Sequence, residues 1–414
     1  MHFWEWCVAG SVALGWMYLA MLRGRFWRVG PFLRSGPPDV PGNPSVCVIV
    51  PARNEAEVLP RTLPALLNQD YAGPLRVVLI NDHSSDDTAK IARAIGAASG
   101  SRAVGAAAGS RAVFHVLDAA PLERGWAGKL WALDQGLRFL RNEGELEGGS
   151  REHGENPSSE YYVFTDADIL HHPGSVRELV AQAREEARDL VSLMVKLRCR
   201  SIWEKLLVPA YVFFFQKLYP FAWSNDPRAR TAAAAGGCVL VRAEALNKIG
   251  GLSAIRSAII DDCALARAVK VQGGRTWLGM TDTVHSLRAY DRLGPLWNMV
   301  ARTAFTQLFY SWFLLAGAVL GMAWIYLCAP LLFGVGLWTG NSARIIVGGS
   351  LWIGMAALYR PMTRFYGLGW GYALALPVTA LLYTGMTLDS ALRHLRGETG
   401  NWKGRNYFEA VARR

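Results

Sequence analysis

Tyr161-Tyr162-Val163-Phe164-Thr165-Asp166-Ala167-Asp168 is an apolar run that ends in two alternating carboxylates. A run apolar on both faces reads as a strand covered on both sides, and ligands in open α/β sheets gather outside the carboxyl ends of such strands. Working outward, Val77-Val78-Leu79-Ile80 is a second run of this kind, leading into Asn81-Asp82-His83-Ser84-Ser85-Asp86-Asp87-Thr88. Two buried strands that deliver acids at their exits predict a binding site there. On an extended segment Asp166 and Asp168 share a face. Paired hard oxygen donors suit Mg²⁺ or Mn²⁺, which takes few protein carboxylates and completes its shell with phosphate oxygens and water.

Strand and helix patterns alternate on either side of this stretch: strands over 45–50, 75–80, 114–117 and 161–164, helices over 59–69, from 88, over 129–141 and over 173–188. The order βαβαβαβα predicts a mainly parallel, doubly wound, Rossmann-like sheet. Pro51-Ala52-Arg53-Asn54-Glu55 follows the first strand, which places Pro51 and Glu55 at a strand exit with Asp82 at the next. Both acids are able to accept hydrogen bonds from a ribose or a base. Asp86 is the better N-cap for the helix near Thr88, which leaves Asp82 for a ligand. Gly125-Trp126-Ala127-Gly128-Lys129 puts a lysine at a helix N-terminus after glycine-rich backbone, a suitable place for a diphosphate. Gly236-Gly237, after Ala234-Ala235, allows backbone to approach a sugar. Asp261-Asp262 open a further helix, one as N-cap and the other free to act as a base.

A content of 51% hydrophobic residues in 414 points to a membrane. Residues 6–22 carry no charge, span a bilayer core of about 30 Å, and are followed by Arg23, Arg25, Arg28 and Arg34 without a small-residue cleavage site. Residues 1–24 therefore read as a retained anchor whose C-terminal end faces the cytoplasm. No charge lies between Arg302 and Arg344, and apolar segments continue over 345–359 and 370–388. A catalytic domain over 40–300 and a transmembrane block over 303–390 follow, with 303–343 either one long helix or a hairpin broken near Pro330. The tail over 391–414 holds Arg393, Arg396, Lys403, Arg405, Arg413 and Arg414, so it reads as cytoplasmic, which favours an even number of crossings or a final re-entrant segment. The aromatic stretch 203–223 fits an interfacial helix that delivers a lipid hydroxyl, or a helix buried between sheet and membrane block.

Arginines and lysines beside membrane segments account for much of the net charge of +11, and no nucleic-acid-binding motif is present. The six cysteines show no close pairing and read as reduced packing residues. Gly96-Ala97-Ala98-Ser99-Gly100-Ser101-Arg102-Ala103-Val104 is nearly repeated at 105–113, a surface extension, and 141–160 reads as a solvated loop.

In order along the chain, these segments resemble the family 2 glycosyltransferases, inverting enzymes of GT-A fold that use nucleotide-sugar donors. The resemblance covers about 45–310. It implies that Glu55 and Asp82 hold the nucleoside, that Asp166 and Asp168 bind a divalent metal and the diphosphate, and that Asp262 is the base, with Asp261 beside it. Lys129 and His285, from Thr283-Val284-His285-Ser286, would assist at the diphosphate and metal. Processive relatives carry Gln/Arg-x-x-Arg-Trp before the membrane block. The matching Met299-Val300-Ala301-Arg302-Thr303 keeps Arg302 alone, which does not imply chain synthesis. The wording of Arg53-Asn54-Glu55, Asn81-Asp82-His83-Ser84 and Trp402-Lys403-Gly404-Arg405 is most similar to the hopene-associated glycosyltransferases. That likeness implies a UDP-sugar donor, a lipid acceptor, a hopanoid among the choices, and a multi-pass protein of the bacterial inner membrane with its catalytic domain in the cytoplasm. The alternatives are a polyprenyl-phosphate acceptor, bound near Arg198, Arg200 and Lys205, and an inactive nucleotide-sugar sensor. Oligomeric state is not readable from the chain.

Overall fold

The structure is a computed structural model that describes residues 1–34, 42–99, 112–147, 159–398, 401–402 and 405–406. Most of the second copy of the nine-residue repeat, most of the 141–160 loop and half of the tail lie outside the described residues. The chain divides into a sheet unit, built mainly from Pro31–Leu197 and Ser224–Arg288, and a helical unit of Met1–Gly30, Arg198–Trp223 and Ala289–Asn401.

Eight strands form the sheet: β1 (Val46–Ala52), β2 (Leu75–Asn81), β3 (Val113–Asp118), β4 (Tyr161–Thr165), β5 (Ile169–Leu170), β6 (Leu190–Lys196), β7 (Cys238–Arg242) and β8 (Thr276–Ser286), in the order β3-β2-β1-β4-β7-β6-β8-β5. The β3-β2-β1-β4 half is parallel, as the alternation predicts. Beyond β4 the sheet is mixed. β7 runs antiparallel to both β4 and β6, whereas β6 and β8 are parallel. Period-two patterning fixes which face a side chain takes but carries no strand direction, so this reversal is invisible in the pattern.

Each residue of β1 is buried, because helices cover both faces. Val46, Val48 and Val50 pack into one apolar cluster and Cys47 and Ile49 into another, the alternation a pleated strand imposes. The second cluster includes Leu130, Leu133 and Leu137 of helix Gly128–Glu147. A Cβ at Gly136 would meet Ile49 Cγ2 at 2.7 Å, so glycine is what lets this helix lie against the sheet. That contact fixes the position of the helix N-terminus.

In the helical unit, helix Phe3–Met21 forms where the anchor is expected. Two helices among the described residues, Trp312–Thr339 and Ser342–Phe365, are long and apolar enough to cross a membrane. They are joined at Gly340, whose φ of 62° ends the first helix in the left-handed region. Of the two readings of 303–343, the long helix is the one observed from Trp312 to Thr339; it passes Pro330, and the break falls at Gly340. Pro330 has no N–H to give to Tyr326, and the chain absorbs this with a π-turn over Ala323–Leu327 just before it. The apolar segment from Trp370 is two helices, Trp370–Leu374 and Leu376–Leu395, parted at Ala375.

The stretch read as interfacial is helix Ile202–Leu218, opened by a capping box in which Ser201 Oγ accepts from Glu204 N and the Glu204 carboxylate accepts from Ser201 N. Glu204 also accepts from Arg200 N at 2.7 Å and Tyr290 N at 2.8 Å, and pairs with Arg198 at 2.8 Å. Burial works against that charge, but these donors hold its carboxyl below the usual range.

Candidate active site

The exits of β1 and β2 are tied to each other by short polar links. Asn54 and His83 both have φ near 50°, a left-handed conformation that asparagine and histidine tolerate better than most residues. Asn54 N–H donates to Ser84 Oγ at 3.1 Å, and Ser85 N–H donates to Asn54 Oδ1 at 2.8 Å. Glu55 N–H donates to Thr88 Oγ1 at 2.8 Å, while Asp86 accepts from Ala56 N and Thr88 N, each at 3.1 Å. Asp86 thus serves the helix start through its side chain, although the N-cap position falls on Asp87 and not on Asp86 as expected, and Asp82 is left at the strand exit. Asp82 is fully buried, its Oδ1 lies 3.2 Å from His83 Nδ1, and Arg53 Nη1 donates to its carbonyl at 2.7 Å. Pro51 is inside β1, opposite Ile80.

Because β7 is antiparallel to β4, its first residue, Cys238, pairs with Thr165 at the end of β4. This brings Gly236-Gly237 against Asp166: Asp166 N–H donates to Gly237 O at 3.2 Å and Thr165 Oγ1 to the same oxygen at 3.0 Å. Lys129, in the first turn of helix Gly128–Glu147, reaches this point. Its Nζ lies 2.8 Å from Asp166 Oδ1 and 3.5 Å from Asp261 Oδ2, and donates to Gly236 O at 3.1 Å. A Cβ on Gly236 would sit 3.2 Å from Asp262 Oδ2 and 3.3 Å from Lys129 Nζ, so Asp262 belongs to the same group. The sequence-predicted residues Lys129, Asp166, Gly236, Gly237, Asp261 and Asp262 are thereby brought together.

Asp261 and Asp262 both stand in the first turn of helix Asp261–Val271, whose N-cap is Ile260. Neither acid is the N-cap that the sequence suggests. Acids in a first turn are favoured by the helix dipole, and Asp262 Oδ1 accepts from Cys263 N at 2.7 Å. Burial, reinforced by the neighbouring Asp261 carboxylate and opposed by Lys129, pushes Asp262 up to about 7. Burial also raises Asp166, opposed by Lys129 and reinforced by Asp168 and Asp261. Burial works against the Lys129 charge, but Asp166 and Asp261 more than offset it and hold the ammonium above its ordinary range.

Asp168 and Glu55 make a second group, joined by Arg288. Arg288 Nη2 lies 2.8 Å from Glu55 Oε1 and 3.5 Å from Asp168 Oδ1, and Ser286 Oγ donates to Asp168 Oδ2 at 2.5 Å. Ser286 and Arg288 were not singled out in the sequence. They alternate on an extended chain, and that period-two spacing directly after His285 is the signal that marks them. His285 is the residue between Val284 and Ser286, paired with Leu170, so β8 presents Ser286 to Asp168 and turns His285 to its other face. Burial, with Lys196 nearby and Asp282 opposing, holds His285 below its ordinary value. Arg302 ends helix Leu293–Ala301 in the helical unit.

Among the described residues no three His, Cys, Asp or Glu side chains gather in a metal-holding group. The pair Asp166 and Asp168 nonetheless fits a hard divalent ion. Both are oxygen donors two residues apart, and burial, with Asp168 and Asp261 adding to it against Lys129, disfavours the Asp166 charge in a way that a bound cation would relieve.

Comparison with known proteins follows the same outline. The family described as glycosyltransferase like family 2 matches residues 43–302, more than half of the chain. A 4,4'-diaponeurosporenoate glycosyltransferase of Staphylococcus aureus is 33% identical over 93 residues, 22% of this chain and 20% of that protein, so the chain spans about a fifth of that curated relative. The structure of a mannosyltransferase from Pyrobaculum calidifontis, in complex with GDP-Man and Mn²⁺, superposes with a TM-score of 0.52 at 18% identity, covering 94% of this chain and 98% of that one. At that identity the likeness bears on the fold, which is the mixed-sheet GT-A arrangement described above. On the extent of the family match, the chain belongs to the glycosyltransferase 2-like family.

Proposed function

We propose that the protein transfers a sugar from a nucleotide sugar, with UDP as the nucleotide, to a hydroxyl of a membrane lipid, with inversion at the anomeric carbon. The observation that carries this reading is the grouping of Asp262 with Lys129, Asp166 and Gly236 at the end of β4. A carboxylate lifted to about 7 is matched to proton removal near neutral pH. Asp262 would take the proton of the acceptor hydroxyl as that oxygen attacks from the face opposite the leaving diphosphate. Lys129 would hold diphosphate oxygens, and the Gly236-Gly237 backbone would leave room for the sugar ring. Glu55 and Asp82 would bind the nucleoside, with Pro51 keeping the β1 exit rigid. Asp168 and Asp166 would hold Mg²⁺ or Mn²⁺; His285, read from the sequence as a further ligand, is turned by β8 to the face away from Asp168 and is not one of them. When bound, the ion supplies charge neutralisation for the leaving nucleoside diphosphate. Arg302 keeps a proposed contact to the donor, by resemblance alone.

The two long apolar helices support a membrane setting, and the arginines after residue 22 support a cytoplasmic catalytic domain in a bacterial inner membrane. A hopanoid acceptor rests on the sequence resemblance. Arg198 is engaged by Glu204 and by Asp291 at 2.7 Å, so it is not available to a polyprenyl phosphate in the way the alternative needs. The Pyrobaculum protein was solved with GDP-Man, which makes GDP-sugars the natural second arm of a donor screen. The test is binding of UDP- and GDP-sugars to the purified full chain with Mn²⁺, beside Asp82→Asn and Asp168→Asn. Donor binding weakened in both variants is expected. Donor binding unchanged in both would overturn the assignment.

A further inference from the structure

The helical unit holds a pair of cations that no acid neutralises. Arg23, just past helix Phe3–Met21, donates from Nε to Lys217 O at 3.1 Å and from Nη2 to Leu218 O at 3.3 Å, and its guanidinium stands 5.0 Å from the Trp223 ring. These ties hold it at the end of helix Ile202–Leu218. Gly24, at φ 61°, permits the approach, since a Cβ there would meet Pro220 Cβ at 2.6 Å. Lys217 Nζ donates to Tyr326 Oη at 3.0 Å, has Met322 Sδ at 3.7 Å, and sits 5.0 Å and 4.9 Å from the rings of Phe214 and Tyr326. Among the described residues neither cation, nor Arg25 or Arg28 nearby, meets a carboxylate, and Arg23 Nη1 has no partner. Burial among the rings and the Arg23 charge hold the Lys217 ammonium below its ordinary range.

Two like charges fixed together by backbone carbonyls and aromatic rings are an arrangement that an anion relieves. A guanidinium fork with a free N–H and an ammonium with a free donor match the oxygens of one phosphate. Trp223 beside Arg23, and exposed Tyr18, Met21 and Leu22 on the preceding turns, set the Arg23 end of the pair toward the level where headgroups lie, with the Lys217 ammonium reaching inward to Tyr326. We propose that Arg23 and Lys217 form a binding site for a phosphate group, carried as a monoester on a lipid headgroup or free as inorganic phosphate. The site does not depend on the glycosyl-transfer reading.

The test uses the full chain in phosphatidylcholine nanodiscs. One arm adds phosphatidic acid to the discs and counts retained lipid by native mass spectrometry. The other titrates inorganic phosphate by isothermal titration calorimetry. Retention of phosphatidic acid over phosphatidylcholine is expected, falling about tenfold in Lys217→Met and in Arg23→Gln and kept in Lys217→Arg and Arg23→Lys. Saturation by inorganic phosphate with the same variant pattern supports the site with a free anion as its source. Thermal unfolding of the four variants separates lost binding from lost fold, because the charge-keeping pair carries similar packing changes. The proposal is overturned if Lys217→Met and Arg23→Gln, still folded, bind both probes as the parent does, or if neither probe binds the parent.

Discussion

Replacing Asp262 by asparagine separates the energetic cost of the site from its chemistry. The carboxyl is raised from its ordinary 3.8 to about 7, so the native state binds this proton more tightly than the unfolded chain does. Stability from that proton is fully present below about pH 4 and is lost as pH rises through about 7. A shift of about three pK units corresponds to about 4 kcal/mol at 1.36 kcal/mol per unit, and rearrangement of Lys129 toward Asp261 takes back part, leaving about 2 kcal/mol. An asparagine side chain does not ionise, so Asp262→Asn is expected to be more stable than the parent by about 2 kcal/mol at pH 8, with the gap closing toward pH 4. The same change should lower transfer by about 10²- to 10⁴-fold, the usual contribution of a positioned base. Denaturant unfolding at pH 5 and pH 8, beside the pH dependence of the transfer rate in the parent, reads both effects. A variant that loses stability at pH 8, or a parent whose rate does not rise between pH 6 and pH 8, would refute the reasoning.

Gly236→Ala places a methyl group 3.2 Å from Asp262 Oδ2 and 3.3 Å from Lys129 Nζ, and is expected to reduce transfer about tenfold or more with the fold intact, read by kinetics beside circular dichroism. Arg288→Ala leaves Glu55 and Asp168 buried without their shared cation; a stability loss of about 1–2 kcal/mol and weaker nucleotide binding are expected by thermal shift with and without UDP. Lys129→Met removes the cation among Asp166, Asp261 and Asp262, so the rise in transfer rate should move to higher pH than in the parent. Glu204→Ala strands three backbone donors at the start of helix Ile202–Leu218, leaves Arg198 with Asp291 alone, and should destabilise the helical unit by about 2–4 kcal/mol, seen in denaturant unfolding.

The parallel half of the sheet and its acids were legible because local chemistry writes them: β1, β2 and β4 carry buried apolar runs, and acids at their exits stand out. Asp166, Gly236 and Lys129 could be named one by one, but their meeting depends on β7 running antiparallel to β4, which no local pattern records. The strands β6 and β8 went unread because Leu190–Lys196 and Thr276–Ser286 lie next to helical and polar patterns without turn signals as sharp as those around β1 and β2. Arg288 escaped for a related reason. Arg288 stands two residues past the end of β8, and its spacing from Ser286 puts it on that face, but nothing local says that Glu55 and Asp168, from distant segments, lie there. The helix at Asp261 begins one residue earlier than acid capping suggests, since Ile260 takes the N-cap and leaves both acids inside the first turn. The hairpin at Gly340 followed the glycine and not Pro330, since a long helix can widen one turn and continue past a proline.

The most direct test is the anomeric configuration of the product made by the purified full chain in lipid from a UDP- or GDP-sugar of known configuration, followed by NMR, with Asp262→Asn beside it. The account predicts an inverted product from the parent and none from the variant, which still binds donor. A product of retained configuration, or undiminished transfer by Asp262→Asn, would contradict it.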